Sequence, residues 1–491
     1  MSVAPIYRTA QALLISVLLL SCRGGDVEET LPFIVDKALN DSTSVYYNDF
    51  SGYPELSSLP IGIFDCSVNG FEVVERFLTL DRFDNITGRE RPDGIADFGG
   101  ENIQFLSDRA NAPYGGYVAA GNLDFLQEII LGNTLFMMDD NFYNLAVDEY
   151  RSGFKSPVKL IVVSSPVADL HGLSAVNEFL ALTGTGVKAV GVMESGIREA
   201  VSGVDGNGDL CVGVLFPPGG VSSIEYETAI RKAASGIVTG DVQVLGQEAV
   251  GLDRALRGDT LYVDTSATAV RDSYRGPVTG ISYNNIDLSL FDRYGFDTSG
   301  NALLYSVPGS NAGVQLNSVE NYVRYHLVSM IERHRRSGSR IPVSSIILAD
   351  AGYHQLMPIL QKVMDELYNY RRGSIYLYRT GISPDFKFID PSECAAMEAY
   401  RTLREDGHLA LSGDRTRLMP FISLPSGSVP PEDINADGGL KDSYKYSRKC
   451  GSDTLSTKIV PFAPRYVDPE MMNYIEKNNP YTYLLIRNSL Y

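Results

Sequence analysis

Short, densely apolar runs recur along the chain. Each is followed by a polar turn, and several turns lead into residues spaced as one face of a helix. The runs are IGIF (61–64), VKLIVVSS (158–165), VKAVGVME (187–194), CVGVL (211–215), VQVLG (242–246), SIILA (345–349) and FKFI (386–389). They are continuous rather than alternating, as strands buried on both faces of a parallel sheet require. The helical patterns are FEVVERFLTL (71–80), IEYETAIRKAAS (224–235), VENYVRYHLVSMIERHRR (319–336), YHQLMPILQKVMDELY (353–368) and DPSECAAMEAYRTL (390–403). In the third, Val319, Val323, Leu327, Met330 and Ile331 share a face, and the basic end suits a helix C-terminus. In the last, Asp390 is placed to cap, Pro391 falls at the first helical position and Glu393 completes a capping box. Strand–helix alternation with short turns means an α/β fold, a parallel sheet covered on both faces. Ligands in such folds bind beyond the C-terminal ends of the strands. The informative turns therefore follow residues 64, 107, 165, 194 and 349.

The 491 residues suggest two to four domains at about 150 residues each. Residues 22–57 read as a polar, acidic tether, and about 252–316, rich in Gly, Asp, Ser and Tyr, as an insertion. From 425 a Pro/Gly/Asp-rich stretch opens a C-terminal extension. Ahead of the tether, Arg8 precedes the apolar run AQALLISVLLL, which is of signal-peptide length and too short to span a membrane. It ends in LLSC, so residues 1–21 read as a signal and Cys22 resembles the lipidated cysteine of a bacterial lipobox. Lipid is then the only anchor expected. Arg23 rather than Asp follows the cysteine, and Asp26, Glu28 and Glu29 loosely resemble acidic surface-export signals; the outer membrane is the expected destination.

A net charge of −18 argues against nucleic acid as a partner and would repel anionic headgroups. Of five cysteines, Cys66, Cys211, Cys394 and Cys450 remain beside Cys22. They are widely spaced, with no CxxC pair, so no zinc site is expected, and any disulfide pairing stays open. DGNGD (205–209) starts like a calcium loop. It has Leu210 and Phe216 where Gly and Glu are needed, so it reads as a tight turn. GTGVK (184–188) lacks P-loop spacing, His171 reads as a surface histidine, and RHRRSGSR (333–340) as a solvated helix end.

Taken in order, the strand-end segments are IGIFDCSVNG (61–70), SDRANAPYG (107–115), IVVSSPVA (161–168), VGVMESG (190–196), VQVLGQEAVGLDRAL (242–256), LADAGYHQLM (348–357) and FIDPSECAAMEAYRTL (388–403). The series resembles glutamate racemase, of the aspartate/glutamate racemase superfamily, over roughly residues 58–408. It keeps Asp65, Val68 and Gly70 of the opening turn; Asp108, Pro113, Tyr114 and Gly115 of the second; then Glu194, Gln247 and Tyr353. The resemblance implies two pseudo-symmetric flavodoxin-like domains with the site between them. The first would hold 58–185 plus 386–424, the second 186–385. It implies no cofactor. The carry-over places ligand contacts at Asp108, Pro113, Tyr114, Gly115, Glu194 and Gly352.

The family's two catalytic cysteines fall at Ser165 and Asp350. Racemising an amino acid removes a weakly acidic α-proton and returns one on the opposite face. Thiols suit this because a pKa of about 8.5 can be tuned towards neutrality. A serine hydroxyl is far weaker as an acid, and an aspartate of pKa about 3.9 is a weak base for a carbon acid. The Asn-Thr and Thr-His pairs that hold the substrate's carboxylates are Pro166-Val167 and Ala351-Gly352 here. Cys66 beside Asp65 is the one thiol left, read as an inert space-filler because it cannot serve both faces. A Ser165–Asp350–His354 triad is disfavoured, since the resemblance sets positions 165 and 350 on opposite sides of the ligand. The expectation is an envelope lipoprotein of racemase-like fold without racemase chemistry, binding a small amino-acid-like or cell-wall ligand or a protein partner. The alternatives are an isomerase with rearranged groups (Asp65, Cys66, Asp350) and a structural component of a surface complex.

Overall fold

The computed structural model describes residues 32–202, 208–280, 285–307, 313–410, 416–452 and 455–489. The lipobox with Cys22, and most of DGNGD, lie outside these.

Ten strands form two sheets. The first half of the chain gives β1 (Ile61–Asp65), β2 (Ile103–Ser107), β3 (Leu160–Val163) and β4 (Lys188–Gly191). The second half gives β5 (Leu210–Phe216), β6 (Val242–Glu248), β7 (Val343–Leu348) and β8 (Ile382–Ile389), and the chain then adds β9 (Leu418–Pro425) and β10 (Thr457–Pro461). Sheet one runs β10-β9-β2-β1-β3-β4 and sheet two β8-β7-β5-β6. All pairs are parallel except β9–β10. Counted within each unit, the first four strands follow one order, second-first-third-fourth. This is the flavodoxin-like winding, repeated, so the molecule is two pseudo-symmetric α/β units.

The main helices are α1 (Phe33–Asn40), α2 (Phe71–Thr79), α3 (Leu123–Met138), α4 (Pro166–Thr183), α5 (Val192–Ser202), α6 (Ser223–Ala234), α7 (Leu252–Leu256), α8 (Val319–Ser337), α9 (Met357–Asn369), α10 (Pro391–Glu405), α11 (Pro469–Asn478) and α12 (Pro480–Ser489). One core covers a face of sheet one and continues onto a face of sheet two, a second covers the other face of sheet one, and a third fills the rest of the second unit. α8 is buried nearly all round, Tyr322, Tyr325 and His326 included. One apolar stripe was expected there; the segment read as an insertion covers the helix's other side with Leu290, Tyr294 and Phe296.

Several expected boundaries move. β4 pairs with β3, so it belongs to the first unit. β8 pairs with β7 and belongs to the second; the strand that returns to sheet one is β9, beside β2. The tether does not run to residue 57: α1 buries Ile34, Val35 and Ala38 against α3, and Phe50, Leu56 and Leu59 are buried after it. The C-terminal extension completes sheet one and lays α12 on α2 and β9. Asp390 caps α10 through the Ser392 N–H at 3.0 Å. Glu393 instead faces Arg82 at 3.4 Å, so the capping box is not closed there. A closed box starts α6, between Ser222 and Glu225.

The chain passes between units through α5 on the way out and α10 on the way back, and these helices pack together. Ser195 Oγ donates to Glu398 Oε2 at 2.7 Å. A Cβ on Gly196 would lie 2.9 Å from Pro391 Cβ.

Candidate functional site

The C-terminal ends of β1, β3, β5 and β7 converge on a cleft of about 290 Å³ between the units. Asp65, Cys66, Pro113, Tyr114, Gly115, Ser165 and Asp350 all line it. Gly115 has a steric reason. A Cβ there would lie 2.1 Å from the carbonyl oxygen of Gly219, on the opposite lip. Only glycine lets the loop after β5 rest on the turn after β2.

On the first-unit wall, Asp65 Oδ2 accepts from Ser164 Oγ at 2.7 Å and Oδ1 from the Ser67 N–H at 2.8 Å. Burial pushes this carboxyl up, and the hydroxyls and the amide oppose the rise. Burial also pushes the Cys66 thiol up, and the charge on Asp65 adds to it; the Ser165 hydroxyl is its hydrogen-bond neighbour. A half-buried thiol raised this way is a poor base at neutral pH. Ser165 is buried and caps α4, its Oγ accepting from the Ala168 N–H at 3.5 Å, with Pro166 at the first helical position.

On the second-unit wall, Asp350 follows β7. Its Oδ1 accepts from the Gly352 N–H at 2.9 Å, capping the short helical turn 351–356, and its Oδ2 lies 3.4 Å from Arg257 Nη2. Arg257 follows α7, inside the segment read as an insertion. Asn69, with its amide oxygen turned to the guanidinium, accepts from Nη1 and Nη2 at 3.1 and 3.2 Å. Burial works against the charge on Arg257, yet Asp350, Glu72 and Asp253 outweigh it and hold the guanidinium protonated. Behind them Glu72 of α2 is fully buried. Burial, then the charge of Asp350, push it up to about 8. Tyr474 of α11 donates to its Oε1 at 2.8 Å, while Oε2 has no partner among the described residues.

Three expected ligand contacts stand elsewhere. Asp108 lies off the cleft as a buried hub: it accepts from Tyr114 Oη at 2.6 Å, Asn111 Nδ2 at 2.9 Å and Asn133 Nδ2 at 3.2 Å. Its part is to hold Tyr114 in the wall. Glu194 sits half-exposed on α5, paired with Arg198 at 2.8 Å. Gly352 spends its N–H on Asp350, and a Cβ there would meet Glu72 Oε2 at 2.9 Å. Gln247 is also remote, buried between His326 and Arg333. His354 turns Nδ1 to the Ala351 carbonyl at 2.5 Å, so it orients neither Ser165 nor Asp350. His171 does bridge the units, its Nε2 lying 2.9 Å from Glu225 Oε1. The helix end read as solvated is tied inward: Arg335 and Arg336 reach Glu332 at 2.7 and 2.8 Å, and Arg333 reaches Gln247.

Sequence reasoning missed Asn69, Glu72, Asp253, Arg257 and Tyr474. The signal for Arg257 was present: it follows a strand and a glycine turn, Gly251 at φ +81°. Cys66, Cys211, Cys394 and Cys450 are all free thiols, and no group of three or more metal-ligating side chains occurs among the described residues. No described helix is long and apolar enough to cross a membrane.

Neither a protein-family model nor a curated protein matches the chain significantly. Solved structures similar to it include three glutamate racemases. An isoform from Bacillus anthracis is 16% identical over 74% of this chain and 89% of that one, with a TM-score of 0.39. The enzyme from Francisella tularensis, solved with D-glutamate, is 14% identical over 80% and 95%, TM-score 0.39. That from Thermus thermophilus, solved with β-chloro-D-alanine, is 16% identical over 81% and 96%, TM-score 0.38.

Proposed function

We propose that this chain is a lipid-anchored protein of the bacterial envelope whose inter-unit cleft binds a small amino-acid-like ligand without racemising it. One observation carries the reading. The two side chains at the expected proton-transfer positions are both occupied as caps, Ser165 on α4 and Asp350 on the turn 351–356, with Asp350 also tied to Arg257. A two-base racemisation needs a free, tuned base on each face. Arg257 and Asn69 suit a ligand carboxylate, and the surrounding carboxylates suit an ammonium group. Anchoring at Cys22 rests on LLSC alone.

Calorimetry with D- and L-glutamate, paired with NMR of α-proton exchange in deuterated solvent, tests the reading. Saturable binding without exchange is the expected result. Exchange by the unaltered protein that vanishes in Asp350→Ala would mean a rebuilt active site and would refute the proposal. A second reading has one observation in its favour: the Cys66 thiol lines the cleft beside Ser165. It predicts exchange on one face only, abolished by Cys66→Ser. For the anchor, Cys22→Ala should leave the protein unprocessed or release it from membranes; a mature N-terminus elsewhere would sink that part.

A further inference from the structure

Between α3 and the C-terminal extension lies a second cavity, about 360 Å³ and so larger than the cleft. Asn111 and Asn133, both bonded to Asp108, face it. Its wall carries the rings of Phe125, Tyr143 and Tyr444. Three cations reach it. The guanidinium of Arg448 lies 4.8 Å from the Phe125 ring centre and donates to Asn111 Oδ1 at 2.6 Å. The ammonium of Lys458 lies 4.8 Å from the Tyr143 ring centre and donates to the Asp148 carbonyl. Lys449 stands at the exposed rim.

None of the three has a carboxylate partner among the described residues. A fourth cation, Arg151, is neutralised by Asp139. The acids that line the cavity are otherwise engaged: Asp108 by its donors, and Glu128 in part by the Gly451 N–H at 3.0 Å. Two cations lying over rings and a third at the rim of the same cavity, none with a carboxylate partner among the described residues, form a site for negative charge joined to an apolar body.

We propose that this cavity binds a small organic anion: a carboxylate carried on a ring-sized apolar body. The rings cover the body, and Arg448, Lys449 and Lys458 take the carboxylate through charge-assisted hydrogen bonds. The site is independent of the cleft, although Asp108 and Tyr114 join the two walls.

The test is calorimetry of the full chain with 2-naphthoate, its neutral analogue 2-naphthalenemethanol and inorganic phosphate. Naphthoate should bind saturably at one site, about tenfold or more tighter than the neutral analogue, and phosphate should not compete. Lys449→Gln with Lys458→Gln should weaken naphthoate about tenfold and leave the neutral analogue unchanged. These two side chains make no carboxylate pair among the described residues, so the variant should fold; Arg448, which ties Asn111 to Tyr117, is left intact. Asp350→Asn should leave naphthoate affinity unchanged, which separates this site from the cleft. Equal affinity for both naphthalenes, an indifferent double lysine variant, competition by phosphate alone, or loss of naphthoate binding in Asp350→Asn would each overturn the proposal.

Discussion

Glu72→Gln offers the sharpest test of the charge arrangement behind the cleft. The side chain is fully buried, with Tyr474 on one oxygen and no partner for the other among the described residues. Burial and Asp350 lift its pKa from the ordinary 4.5 to about 8. A carboxyl whose folded pKa is raised contributes stability that is complete below the unfolded value and lost as pH rises through the folded one. The window therefore runs from about 4.5 to about 8. Each pH unit across it is worth about 1.4 kcal/mol, so the ceiling is about 5 kcal/mol. Glutamine keeps the shape and cannot ionise. Relative to wild type, the variant should be level or about 1 kcal/mol worse at pH 5, where its amide gains an unpaired donor. It should be several kcal/mol better at pH 9. The difference between the two proteins is the quantity to read, because other groups also titrate. Asp169, raised by burial to about 7, removes stability as pH rises through that value. Lys155, lowered by burial to about 7, restores stability from there to about 10.5. Urea unfolding of both proteins at half-unit steps from pH 5 to pH 9 is the assay. A difference that does not change with pH would refute the assignment of a neutral Glu72 at pH 7.

Gly115→Ala should force the two lips apart, since its Cβ would meet the Gly219 carbonyl at 2.1 Å; a loss of about 1–3 kcal/mol in unfolding and weaker cleft binding are expected, and wild-type values for both would count against the contact. Lys159→Met should cost about 3–5 kcal/mol, because it strands Glu101, 2.8 Å away in a pair that is 1% and 2% exposed; equilibrium unfolding measures it. Ser165→Cys with Asp350→Cys should not restore α-proton exchange, since Pro166, Val167, Ala351 and Gly352 still offer no side-chain donors; NMR in deuterated solvent decides it.

What was legible in the sequence follows from burial. Runs such as CVGVL and IVV stand out because parallel strands covered on both faces can be apolar at every position. The same logic hid α3. LDFLQEIILGNTLFMM is buried on nearly every side, so no 3.6-residue stripe marks it as a helix. β9 was hidden by Pro420 and Pro425, which read as punctuation. Pro420 lacks an N–H, but its carbonyl accepts from the Phe462 N–H at 2.9 Å, and the strand is held on both sides. At the site, Ser165, Asp350, Asp65 and Cys66 were findable because each lies at the end of a strand or within two residues of it. Glu72 and Tyr474 were not. Their meeting depends on α11 folding back over α2, a tertiary event with no local signature. Asp108 and Glu194 show the opposite failure: motif positions were right in order, yet one side chain turned into the unit and the other to solvent.

The two chain crossings have a mechanical consequence. α5 and α10 are the only covalent straps between the units among the described residues, and they are packed side by side. Two straps lying together would make a door hinge rather than a ball joint: any relative motion of the units would turn about one line and be resisted across it. The first residues of both helices, Val192, Met193, Pro391 and Ser392, also line the cleft. The hinge pin is thus the floor of the room. A molecule resting there would touch the axis and both leaves at once.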